Sequence, residues 1–170
     1  SVNEHYDDTD CYPWLEEGLK TLREEGADLV IACCHWGDDY LHEIEQAQYD
    51  MGRWCIDQGY DLVLGCHPHL LQGIECYKDK YIVYSMGNFC YGGNKNPKEK
   101  DSMIFQQTFT FVDGQLQTDT DAIRVIPCRL SSSTEKNDYC PMICEGEMAK
   151  ETIANLNMYC EEFGIRFDVD

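Results

Sequence analysis

Three histidines stand directly behind short apolar runs: His35 after Asp28–Cys34, and His67 and His69 after Asp61–Cys66. Neutral imidazole is a ligand for borderline divalent ions such as zinc and iron. Pro68 pushes His67 toward extended backbone. In an extended segment, residues i and i+2 face the same side. His67 and His69 are therefore expected to display their rings together, with α-carbons about 6–7 Å apart. That spacing suits two ions about 3.5–4 Å apart, one per ring, the arrangement used to activate water in hydrolysis. Cys66 is expected to face the other way and not to be a ligand. A single histidine after a strand is more often a loop residue, so the weight rests on the three together. His5 and His42, in polar surroundings without a preceding strand, read as loop residues.

The elements around these residues decide whether they meet. Leu15, Leu19 and Leu22 recur at helical spacing between Pro13 and Glu25, and Gly26 ends the pattern. The apolar run 28–34 suits a strand buried on both faces, as in parallel sheets. A helix over about 43–58 places Ile44, Ala47, Met51, Trp54 and Cys55 on one stripe. The run 61–66 is the next strand, which completes a βαβ unit with parallel strands. In open α/β sheets, sites gather at the carboxyl ends of strands. If these two strands are neighbours, His35, His67 and His69 share one crevice.

Further on, 71–77 and 81–86 read as a hairpin across Lys78-Asp79-Lys80. Residues 92–101, rich in glycine, asparagine and lysine, read as a mobile loop able to close over a substrate. Ser102–Phe111 and Gln115–Leu130 form a second hairpin, turning at Asp113-Gly114. Residues 1–12 and 131–144 read as loops, and 146–163 as a helix with Ala149, Ile153, Leu156, Cys160 and Phe163 on one face. No repeat or linker divides the 170 residues, so the chain reads as a single α/β unit, with its motif-bearing core at about 27–111.

A net charge of −19 opposes binding to nucleic acid. An anionic substrate would need a local cation, which bound metal supplies. Eleven cysteines, an odd number without C-x-x-C pairs, argue against a disulfide framework. They read as free, mostly buried thiols in reducing or anaerobic surroundings. A structural zinc site at Cys140 and Cys144 is a weaker alternative.

The motifs resemble those of the CapA family of poly-γ-glutamate capsule biosynthesis, a bacterial family similar to calcineurin-like metallophosphoesterases. Cys34-His-Trp-Gly-Asp-Asp-Tyr40 resembles its H-W-G-x-E-Y motif, Asp61-Leu-Val-Leu-Gly-Cys-His-Pro-His69 its D-x-V-I-G-H-H-P-H stretch, and Tyr84-Ser-Met-Gly-Asn-Phe89 its Y-S-L-G-N-F. The resemblance implies an α/β fold: the C-terminal part of a two-sheet sandwich with flanking helices. It also implies a two-metal site, with His35 and His67 on one ion and His69 on the other. The ions would be Mn, Mg, Fe or Zn. The remaining ligands would be acidic residues and an asparagine from an N-terminal half, whose motifs do not precede His35. That missing half would be the chain's first partner, and the capsule or polyglutamate synthesis machinery a second. A membrane-anchored or exported location is implied as well. Asp39 stands where the family has glutamate, and Cys66 where it has histidine.

Three neutral imidazoles do not offset two divalent ions, and such hydrolytic sites use carboxylates as well. The isolated chain is therefore expected to bind metal weakly and to be nearly inactive. In the complete protein, His35 and Asp39 would take part in catalysis. Asp38 or Asp39 would orient a ligand histidine through its second nitrogen. Asn88 and Trp36 would line the substrate pocket, although Trp36 reads more readily as packing. The rival expectation is a non-catalytic component of polyglutamate assembly or export.

Overall fold

Helix α1 (Cys11–Glu24) buries Leu15 and Leu19, which lie one turn apart. Strand β1 (Ile31–His35), helix α2 (Gln46–Gln58) and strand β2 (Leu62–Cys66) follow. The strands pair in parallel, from Ile31 opposite Leu62 to His35 opposite Cys66, as the βαβ reading requires. Helix α2 starts three residues later than expected. The Glu45 N–H donates to Gln48 Oε1 (3.0 Å), which sets the helix entry at Gln46. Gly59 closes the helix at φ 112°, a left-handed conformation suited to glycine. This computed structural model describes residues 11–117 and 122–169. His5 and most of the expected N-terminal loop lie outside them.

Strands β3 (Ile74–Tyr77) and β4 (Lys80–Val83) form the first expected hairpin. Lys78 and Asp79 turn it at φ 51° and 62°. Strand β4 also pairs in parallel with β2, so the sheet order is β1-β2-β4-β3. The second hairpin is split. Strand β5 (Asp101–Gln107) leads to a small ribbon of β6 (Thr110–Val112) and β7 (Gln115–Gln117), turned at Asp113-Gly114. Strand β8 (Ile123–Arg129) then returns along β5. The segment expected to be loop before the last helix contains a short strand, β9 (Met142–Ile143), paired with β8. Helix α3 (Gly146–Tyr159) ends in a 3-10 turn at Glu161–Phe163, shortening the helix expected to reach 163.

The four-stranded sheet has a core on each face. On one side, Ala32, Cys34, Val63 and Ile82 pack with Leu15 and Leu19 of α1 and Met51, Cys55 and Ile56 of α2. On the other, Ile74 and Val83 meet Met103 and Val125 of the second sheet, and Ile153 and Leu156 of α3. The architecture is mixed α/β with two stacked sheets and flanking helices, as expected. Strand β1 departs from expectation: Ala32 and Cys34 are buried, whereas Ile31 (39% exposed) and Cys33 are not. The second layer sits over β3 and β4, leaving one face of β1 open. Of the eleven thiols, five are buried and five exposed, with Cys11 between, so the expectation of mostly buried thiols is half met. Among the described residues no helix is long and apolar enough to cross a membrane.

Two buried polar arrangements lock β1 and β2 in place. Asp61 (5% exposed) accepts from the Val30 N–H (2.9 Å), from Arg23 (2.6 Å) and from Lys80 (3.0 Å), joining α1, β1 and β4. Trp36 (1% exposed) donates its indole N–H to the Tyr84 carbonyl (2.7 Å) and stacks on the Tyr84 ring. At that burial its side chain serves as packing between the sheet and α2. Gly65 lies beneath it. A β-carbon there would stand 2.1 Å from the Tyr84 oxygen and 2.4 Å from Trp36 Nε1.

Gly65→Ala is therefore expected to cost about 2–3 kcal/mol, read as a lower urea midpoint with loss of the native tryptophan fluorescence. Burial raises the thiol pKa of Cys128 and Cys144, and that of Cys160 to about 11. The Cys55 side chain and burial raise Cys34 well above the usual range. Alkylation of the native chain at pH 7.5, followed by peptide mass spectrometry, should label Cys33, Cys90 and Cys140 ahead of these four.

Candidate functional site

Both parallel strands end at the same edge, and the site is built there. His35 is the last residue of β1 and lies opposite Cys66, the last of β2. The Trp36 N–H still donates to the Cys66 carbonyl (3.0 Å), and the Tyr40 N–H then donates to the Pro68 carbonyl (2.8 Å). The two loops therefore run against each other. His67 and His69 are not extended as expected: they adopt φ 110° and 63°. The bonds from the 36–40 segment turn the chain here, and local preference before proline is overridden. The rings still converge. His35 Nε2 lies 2.6 Å from His67 Nδ1, and the His67 and His69 ring centroids are 5.6 Å apart.

Asp39 closes the cluster. Its Oδ1 lies 3.5 Å from Nε2 of His67 and 3.5 Å from Nε2 of His69. One donor atom from each of these three residues falls within 4.8 Å of the others. From the sequence, Asp38 or Asp39 is expected to orient a ligand histidine through its second nitrogen and Asp39 to take part in catalysis; the Asp39 carboxylate lies beside Nε2 of both His67 and His69. Asp38 contributes its backbone N–H, which donates to Glu45 Oε2 (3.0 Å). Two carboxylates thus divide the work: Glu45 holds the loop, and Asp39 faces the rings. Two buried amides hold the same loop from behind. Gln72 donates to the Leu41 (3.0 Å) and Glu43 (3.2 Å) carbonyls and accepts from Gln48 (2.9 Å).

Asn88 grips His69 from both ends. Its Oδ1 lies 2.9 Å from His69 Nδ1, and its amide nitrogen donates to the His69 carbonyl (3.0 Å). An acceptor at Nδ1 places a ring proton there; in the neutral ring this makes Nε2 the lone-pair nitrogen, on the side of Asp39. Asn88, 8% exposed, is buried and supports His69. Cys66 was expected to point away. Its thiol donates to the Cys34 carbonyl (3.4 Å) and its sulfur lies 3.9 Å from His35 Nδ1. The sulfur thus lies beside the His35 nitrogen that does not face His67, and Cys66 is not part of the Asp39–His67–His69 group.

Aromatic rings flank His69: Tyr91 at 4.7 Å and Tyr40 at 5.7 Å between centroids. Burial, then the phenol of Tyr40 and the charge of Asp39, raise the pKa of Tyr91. Tyr91 escaped the sequence reading because nothing in its spacing marks it. His42, set aside as a loop residue, makes hydrogen bonds with both ring nitrogens. The loop at 92–100 is tied down: Lys100 Nζ donates to the Ser133 and Thr134 carbonyls (2.9 Å each), and Asn137 donates to Tyr91 and Asn94. Cys140 is exposed and Cys144 buried, and the cluster at Asp39 is the only potential metal-holding group found among the described residues.

The sequence pattern that defines the bacterial capsule synthesis protein PGA_cap family matches residues 2–92, more than half of the chain. The chain belongs to that family. It is 36% identical over 87 residues to the capsule biosynthesis protein CapA of Bacillus anthracis, covering 51% of this chain and 21% of that protein. It is 36% identical over 80 residues to the PGA biosynthesis protein CapA of Bacillus subtilis, covering 47% and 21%. A Mycobacterium tuberculosis protein named as a probable polyglutamine synthesis accessory protein is 24% identical over 109 residues, covering 61% and 28%. The chain spans about a fifth of the length of the two CapA proteins it matches. The PGA_cap match takes in His35, Asp39, His67, His69, Asn88 and Tyr91, so the whole cluster lies inside it.

Asn88→Ala removes both bonds to His69. Histidine ¹⁵N spectra should show His69 passing from a single Nδ1–H tautomer to a mixture, at a stability cost of about 1–2 kcal/mol.

Proposed function

We propose that the complete protein is a metal-dependent hydrolase of the phosphoesterase type, acting in capsule or polyglutamate biosynthesis, and that this chain supplies its histidine ligands. The observation that carries the reading is the convergence of the Asp39 carboxylate with Nε2 of His67 and His69. Two imidazoles and one carboxylate fit zinc, iron or manganese as a partial ligand set. His35, in contact with His67, would hold a second ion beside the first. Divalent ions so placed polarise a phosphoryl oxygen and acidify water.

The chain's own residues do the positioning. Asn88 fixes the tautomer of His69. Glu45 and Gln72 set the loop that delivers Asp39. Tyr40 and Tyr91 wall the His69 side, where they would restrict water. A single carboxylate is too little charge for two divalent ions, so further acidic ligands would come from another segment of the complete protein. Among the described residues β1 is an edge strand with one exposed face, where such a segment would sit beside His35. By itself, the chain would bind metal weakly.

The mycobacterial relative is named as an accessory protein of polyglutamine synthesis, which favours a second reading: a component that assists polymer assembly or export and is not itself the catalyst. The family resemblance favours an exported or membrane-anchored location for the complete protein, while five exposed free thiols favour reducing surroundings.

The complete protein should carry about two metal ions per chain by elemental analysis and hydrolyse a phosphodiester such as bis(p-nitrophenyl) phosphate. The double variant His67→Ala/His69→Ala should lose both properties. Asp39→Ala should weaken metal binding by about 10–100-fold. Full metal content without hydrolysis of any ester tested would favour the assembly reading. A complete protein that binds no metal would end the proposal.

A further inference from the structure

His42 lies three residues beyond Asp39 and touches three other parts of the chain. Its Nδ1 is 3.0 Å from the carbonyl oxygen of Leu71, in the loop leaving His69. Its Nε2 is 3.0 Å from Oε1 of Glu99, at the far end of the loop that begins at Asn88. Its ring stacks on Tyr159 of α3, with centroids 4.5 Å apart and planes 17° from parallel. The Tyr159 hydroxyl is 3.3 Å from the same Nε2.

Carbonyl and carboxylate oxygens only accept hydrogen bonds. The bonds to Leu71 and Glu99 therefore coexist only when both ring nitrogens carry protons. A neutral ring that keeps its Nδ1 proton for Leu71 turns a lone pair toward the Glu99 carboxylate. The Tyr159 hydroxyl can then donate to that lone pair instead. Burial, with the charges of Glu99 and Asp101, holds the Tyr159 phenol up at about 12, so it remains a donor throughout the neutral range.

The surrounding charges are mostly acidic. Glu43 on the same loop and Glu161 and Glu162 after α3 line one hollow with His42. Glu99 and Asp101 line a second, together with Lys98, Lys100 and Arg129. Two of these cations are engaged elsewhere: Lys100 with the 133–134 carbonyls, Arg129 with Asp101 and Glu151.

We propose that His42 is a positioning residue for the His69 side of the cluster. As an imidazolium it latches the 88–101 loop, with Asn88 and Tyr91, against the turn that carries Asp39 and Tyr40. On losing its proton it exchanges Glu99 for Tyr159 and frees the 96–99 stretch, which lies between the points held by Asn137 and Lys100. The bonds to Leu71 and Glu99 are complete while both ring nitrogens carry protons, and the Glu99 bond is lost with the Nε2 proton. The latch does not depend on the metal reading; its effect on ligand affinity does.

Amide exchange of residues 95–100, corrected for intrinsic rates, tests the latch in this chain. Protection should be about fivefold higher at pH 5.5 than at pH 8. In Glu99→Gln, whose carboxamide can accept from the protonated ring or donate to the neutral one, it should be high at both pH values. In His42→Phe, which keeps the stack on Tyr159 without the N–H groups, it should be low at both. Wild-type protection that does not change with pH, or a Glu99→Gln variant that keeps the wild-type profile, would overturn the latch.

Zinc titration at pH 6 tests positioning separately. His42→Phe should bind about threefold more weakly than wild type. Equal affinities would overturn the positioning role. A wild-type chain that binds no zinc would overturn positioning at an ion in this chain and leave the exchange result to judge the latch, the metal reading being judged on the complete protein.

Discussion

The histidine cluster hangs from the parallel pairing of β1 with β2. A strand displays alternate residues on opposite faces, so a slip of one residue would turn His35 toward the helices and bury it. The register is fixed at both ends. Asp61 bonds the Val30 N–H at the start, and the Trp36 N–H bonds the Cys66 carbonyl at the finish. Between them, Gly65 lets the Trp36 indole lie against the sheet, where any side chain would push it away. The two loops leave the sheet side by side because the strands beneath them end together.

Above that edge, hydrogen bonds from the rest of the chain shape the donors. Asn88 reaches His69 from the end of the β4 segment, Glu45 reaches the Asp38 amide from the start of α2, and Gln72 reaches the Leu41 and Glu43 carbonyls from below. Each support is a side chain bonded to backbone or ring, and each comes from a different stretch of sequence. The cluster is thus an arrangement of the whole βαβ unit with its following hairpin. Among the described residues, strands β6 and β7 pair with each other as a separate two-stranded ribbon.

Much of this was legible in the sequence. Apolar runs at 28–34 and 61–66, separated by a helical stripe, were enough to forecast parallel strands with histidines at their ends. Lys78-Asp79 and Asp113-Gly114 marked both tight turns. What the sequence hid was non-local. The left-handed backbone at His67 and His69 follows from bonds to a loop some thirty residues earlier, and no local rule around Pro68 announces it. Asp39 looked like a support because its distance to two rings at once is a tertiary fact. His42 looked idle because its partners, Leu71, Glu99 and Tyr159, are dispersed along the chain. The exposed face of β1 was misread because a short apolar run does not say whether a second layer reaches it.

Tyr40, His67 and His69 all hold positive φ angles, although none is glycine. Such conformations cost of order 1–3 kcal/mol each and persist only where the surroundings enforce them. Glycine or asparagine would adopt them with less strain. The fold therefore gives up stability at three of the positions whose aromatic rings crowd the cluster. For a lineage drifting away from this chemistry, substitutions there would be the easiest route to a more robust protein. The residues that shape the cluster are thus also the first that relaxed selection would be expected to erase.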